Sequence, residues 1–73
     1  MSRGRLQARF GQVVRRRREE AGLSQEALAD AARLHRTYIS LLERGQRQPQ
    51  LETIRALARG LGTTMAELVG ELD

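Results

Sequence analysis

The stretch LHRTYISLLERG, residues 34–45, holds the only histidine and the only tyrosine of a 73-residue chain, with Arg36 and Arg44 beside them. Wound as a helix at about 100° per residue, it puts Ile39 and Leu42 on one side, where a core must lie. Thr37, Ser40, Leu41 and Arg44 gather on the opposite side, flanked by Arg36 and Tyr38. These are side chains suited to the edges of bases. An arginine fork matches guanine O6 and N7, a threonine donates to a base edge or covers a thymine methyl, and an outward leucine suits the same methyl. Tyr38 and Ser40 offer hydroxyls to a base or a phosphate, and Arg44 and Arg47 offer cations to the backbone. His35, at the helix start, is placed for phosphate rather than for a metal. The bland alternatives are a solvated Arg36, a Tyr38 ring laid along the domain surface and a Leu41 turned to a neighbouring helix.

Composition narrows the field. All thirteen basic residues are arginine, against nine acidic ones, for a net charge of +4 and a pI near 11.3. An arginine-only balance suits phosphates and base edges, although GC-rich coding produces the same bias. Cysteine is absent, which excludes disulfides and thiolate chemistry. One histidine without a cysteine or carboxylate cluster makes a metal site improbable, and no cofactor is expected. With no paired carboxylates in a pocket, an enzyme is close to excluded. No run nears the roughly 18 apolar residues of a membrane span, and residues 1–10 lack the apolar centre of a signal peptide. The expectation is a soluble protein of the bacterial or phage cytoplasm, associated with the nucleoid.

Glycines punctuate a series of helical patterns. Phe10, Val13, Val14 and Ala21 share one face of a first helix that stops at Gly22. Ser24 is a good N-cap for QEALADAA, with Ala27, Leu28 and Ala31 at helical spacing. Leu34 plugs the link to RTYISLLE, closed by Gly45. After Pro49, Leu51, Ile54, Leu57, Ala58 and Leu61 form the next apolar stripe, ended by Gly62. Thr64 and Glu67 have the spacing of a capping box, in which each side chain satisfies the other residue's amide. Met65, Leu68, Val69 and Leu72 supply the last apolar face. Nothing alternates with period two, so the expected fold is all-α: one compact domain over 1–73, five helices, a short basic arm at about 1–6 carrying Arg3 and Arg5, and a final helix at about 65–72.

The second and third helices are separated by only a few residues, the arrangement of a helix-turn-helix. GLSQEALADAA, LHRTYISLLERG and QPQLETIRALARGLGTTMAEL, in that order, resemble the XRE-type DNA-binding domains of lambdoid phage repressors and Cro. The wording FGQVVRRRREEAGLSQE and RTYISLLERGQRQP is most similar to the small controller proteins of restriction–modification systems. The resemblance implies a repressor-like domain and a sequence-specific transcriptional regulator on a near-palindromic double-stranded operator, with RNA polymerase a further partner where it activates. It implies base contacts from Arg36, Thr37, Tyr38, Ser40 and Leu41, and backbone contacts from Gln25, His35, Arg44 and Arg47. It implies an Arg18–Glu43 pair within the domain, and a homodimer joined through the C-terminal helices, here Met65, Leu68, Val69 and Leu72. A solitary prophage-type repressor and an antitoxin-like interaction module are the alternatives within the same fold.

Three residues depart from the pattern. Arg33 stands where such turns usually carry glycine, at a cost on the order of 1 kcal/mol if its backbone is left-handed. His35 replaces a better N-cap. Arg17 falls where Leu or Ile is usual, so its stem is expected over the core with its head in water.

Overall fold

A computed structural model describes residues 3–73, with the backbone alone at Arg3. Five helices follow in order: α1 (Arg3–Glu20), α2 (Gln25–Ala32), α3 (Arg36–Glu43), α4 (Leu51–Gly60) and α5 (Met65–Gly70). Among the described residues there is no strand. From Arg3 onward the expected basic arm is part of α1, so Arg5 belongs to a regular helix. Arg3's side chain lies outside the described residues.

The helices wrap a core of Phe10, Val14, Leu28, Ala29, Ile39, Leu42, Leu57, Ala58 and Leu68. Each contributes the stripe its 3.6-residue period predicts. Ala21, expected on the first stripe, lies past the end of α1 and is exposed. Leu51, expected on the fourth, points to solvent and is 74% exposed.

The turns follow one pattern. α1, α3 and α4 each end in a Schellman motif with glycine in the left-handed position: Gly22 at φ 73°, Gly45 at φ 74° and Gly62 at φ 70°. α2 ends in the same motif, with Leu34 N–H bonded to Ala29 O at 2.8 Å and Arg33 N–H to Asp30 O at 3.2 Å. Its left-handed residue is Arg33, at φ 57° and ψ 44°. The turn therefore keeps the left-handed backbone at this position and takes the strain.

α1 lies directly on the end of α3. A Cβ at Gly11 would collide with the backbone oxygens of Leu42 and Glu43, so only glycine permits this approach. Gln7 Nε2 donates to Gly45 O at 2.8 Å across the same contact. At α5 the cap forms by half: Glu67 N–H donates to Thr64 Oγ1 at 3.1 Å. The Glu67 carboxylate accepts from the hydroxyls of Thr63 and Thr64 instead of the expected backbone amide.

Candidate nucleic-acid interface

The position of α3 is fixed from inside by charge. Glu43, its last residue, is buried, and its carboxylate accepts from Arg18 Nε at 2.7 Å and Arg18 Nη2 at 3.1 Å. Arg18 Nη1 donates to Leu23 O at 2.8 Å, and Gln25 Nε2 donates to Glu43 Oε1 at 3.1 Å. One carboxylate thus ties α1, the start of α2 and the end of α3 together. The Arg18 guanidinium is held above its usual pKa, chiefly by the hydrogen bond to Glu43 and against the opposing effect of burial. Gln25, expected on a DNA phosphate, spends one amide proton inward on this network, a role its place at the start of α2 did not reveal.

With Ile39 and Leu42 fully buried beneath it, the far side of α3 is left to solvent. Arg36 and Thr37 are exposed at its first turn, and Arg44 is exposed at its end. Ser40 and Leu41 are half-buried between them. Arg44 Nε donates back to Ser40 O at 3.3 Å, which lays its side chain along the helix. His35 caps α3 by backbone alone, without a side-chain hydrogen bond. The first amides of the helix are therefore uncapped, a favourable end for an anion.

Tyr38 is half-buried. Its ring packs against the core and also walls an open cleft of about 420 Å³. Arg33, His35, Arg47, Gln48 and Thr53 share that cleft. Gln48 and Thr53 carried no signal in the sequence, since neither has the charge or period that singles out a residue.

The C-terminal residues divide. Leu68, expected at a dimer interface, is 0% exposed and belongs to the core of its own domain, because the short α5 turns it onto α4 and α1. Met65, Val69 and Leu72 are half-buried around it. Val69 and Leu72 line an apolar groove of about 180 Å³ with Leu6, Phe10, Pro49 and Ile54. Arg17 does not reach for water: it bonds to Thr63 and Glu71, and Arg16 pairs with Glu71 as well, so α1 clamps the C-terminal end.

A helical pair held this way, with a polar face on its second member, has counterparts. The sequence profile of the helix-turn-helix family matches residues 14–68. The chain belongs to that family. Its helix-turn-helix relatives include control protein C.MunI of a Mycoplasma species, 36% identical over 93% of this chain and 93% of the relative. Control protein C.BamHI of Bacillus amyloliquefaciens is 44% identical over 82% of this chain and 75% of the relative. Among solved structures, the restriction–modification controller protein C.AhdI from Aeromonas hydrophila superposes with a TM-score of 0.81 at 44% identity, over 84% of this chain and 92% of that one. The family is one of HTH-type transcriptional regulators, not of enzymes. Within it this helix-turn-helix chain is similar to restriction–modification controller proteins along nearly its whole length. No helix among the described residues is long and apolar enough to cross a membrane.

Proposed function

We propose that this chain is a transcriptional regulator of the controller type, which binds a near-palindromic operator in double-stranded DNA as a homodimer. The observation that carries the reading is the first turn of α3. Arg36 and Thr37 are exposed there, on a helix whose opposite face is locked by Ile39, Leu42 and the Glu43 network. Among the described residues Arg36 has no hydrogen bond or ion pair, so its fork is available for guanine. Thr37 covers the neighbouring base, Ser40, Leu41 and Tyr38 border them, and His35, Arg44, Arg47 and the second amide proton of Gln25 take phosphates. Two copies related by a two-fold axis set their α3 helices in successive major grooves, about 34 Å apart. The half-buried Met65, Val69 and Leu72, and the exposed Leu51 of α4, supply apolar surface that supports the dimer. On this reading the chain works in the cytoplasm on the nucleoid, and RNA polymerase is a further partner at promoters it activates.

Selection of bound duplexes from a random pool gives the operator. Arg36→Ala then loses discrimination at one base position of each half-site, roughly 10- to 100-fold, while its melting temperature stays that of the wild type. Unaltered selectivity removes Arg36 from the reading set. Binding whose affinity does not fall with added salt sinks the DNA reading as a whole.

A further inference from the structure

The arginines from Arg9 onward fall into two groups. Arg15, Arg16, Arg17, Arg18 and Arg55 pair with carboxylates, and Arg44 bonds to its own helix. Among the described residues Arg9, Arg33, Arg36, Arg47 and Arg59 have no hydrogen bond or ion pair. Arg33 stands apart within that second group. It holds a left-handed backbone, φ 57°, in the one helix-closing motif of this kind that lacks glycine. Strain of this sort clusters at binding and functional sites, where the surrounding structure holds it in place. Inside the protein the Arg33 side chain does nothing: it is exposed and unpartnered, and it stands at the rim of the cleft that Arg47, His35 and Tyr38 line. Arg33 also lines a second depression of about 320 Å³, which carries Arg59 of α4. The only carboxylates near it in sequence, Asp30 and Glu26, make no pair with it.

We infer that Arg33 is a DNA-contacting residue, which binds a backbone phosphate beside the groove that α3 enters and shares that phosphate track with Arg47 across the cleft. The inference rests on the DNA-binding reading above. A glycine closes the turn at least as well, so what arginine adds is the cation. Its contact is blind to sequence, and it fixes the depth and register at which Arg36 and Thr37 meet base edges.

The test separates the turn from the contact. Arg33→Gly relieves the backbone, Arg33→Asn keeps a residue tolerant of the left-handed region without the charge, and Arg33→Lys restores the charge alone. One phosphate contact contributes about 0.9 to the slope of log affinity against log salt, an eightfold effect at about 0.1 M relative to 1 M salt. Titrations of the selected operator and of a mixed-sequence duplex lacking it are run with all four proteins. The expected result is that Arg33→Gly and Arg33→Asn lose about eightfold in affinity per protomer at 0.1 M salt on both duplexes, with the slope reduced by about one per protomer. Arg33→Lys recovers most of the loss, and Arg33→Gly melts above the wild type. A wild-type slope retained by both Arg33→Gly and Arg33→Asn overturns the inference and leaves the DNA reading standing. A flat slope in the wild type removes the DNA reading itself.

Discussion

Glu43→Ala takes the acceptor from three donors at once: Arg18 Nε at 2.7 Å, Arg18 Nη2 at 3.1 Å and Gln25 Nε2 at 3.1 Å. The side chains of Glu43 and Arg18 are only 3% and 11% exposed, so water cannot replace the carboxylate freely. Arg18 keeps its hydrogen bond to Leu23 O and is otherwise a buried cation without a counter-charge. Breaking a pair this enclosed costs about 3–5 kcal/mol, where a surface pair is worth about 0–1. A chain of 73 residues holds only about 4–11 kcal/mol in all. The variant therefore loses on the order of half its stability. With a urea slope near 1 kcal/mol/M for so small a domain, the midpoint moves down by about 3 M. Replacing both partners with methionine removes the unpaired charge and recovers most of that shift. A drop below about 1 M, or a double variant no better than Glu43→Ala, refutes the argument that this pair is enclosed and positions α3. The pH dependence carries a second check. Arg18's folded pKa is raised above an already high unfolded value, so its stabilisation is complete below that value and is lost only as pH climbs past the raised one. The difference between wild type and Glu43→Ala should then stay level from neutral pH to about pH 9.

Two further variants probe the frame. Gly11→Ala sets a methyl 2.7 Å from Glu43 O and closer still to Leu42 O, both backbone atoms that can move only with α3. It should cost about 3 kcal/mol despite alanine's better helix propensity, lowering the melting temperature by more than about 10 °C; a rise contradicts the α1–α3 contact. Leu51→Asp changes a side chain that is 74% exposed, so the monomer's stability should move by less than about 0.5 kcal/mol. Sedimentation should nonetheless show monomers, and a dimer that persists places the interface away from the start of α4.

Much of the fold was legible because its signals are local. Ser24 caps α2 through a bond to Ala27 N–H at 3.0 Å, and the positions of Gly22, Gly45 and Gly62 marked where α1, α3 and α4 stop. Phe10, Leu28, Ile39 and Leu57 fell on core faces by period alone. What the pattern misplaced depends on contacts distant in sequence. Leu68 and Leu72 belong to one apolar stripe, yet only Leu68 is fully buried while Leu72 packs half-exposed at the edge of the core, because α5 is a turn and a half long and ends at Gly70. Leu51 continues the stripe of α4 at its first residue, yet is exposed. Nothing near Arg17 in sequence announces Glu71, fifty-four positions away in their hydrogen bond, so its period alone suggests a snorkelling stem. In the candidate site the outward residues of α3 follow from the helix wheel, whereas the inward turn of the Gln25 amide follows from Glu43 being buried.

These observations assign two separate uses to a single residue type. A thin core cannot hold a short helix rigid by apolar contact alone, and α3 fully buries only Ile39 and Leu42 in it, with Tyr38 half-buried beside them. The remaining constraint comes from arginine forks on α1: Arg18 fixes the end of α3, while Arg16 and Arg17 hold Glu71 beyond α5. A lysine in place of Arg18 could not engage both Glu43 oxygens and Leu23 O in one plane, which is reason enough for arginine there. The arginines around the start of α3 have the opposite condition. Arg33, Arg36 and Arg47 are exposed and lack partners among the described residues, so their charge is undiminished on the face that Glu43 leaves without a carboxylate by turning inward. Burial of that one acid therefore stiffens the helix and also leaves its recognition side positive. The two effects separate experimentally, since Glu43→Gln keeps the shape and the exposed charges while weakening only the inner pair.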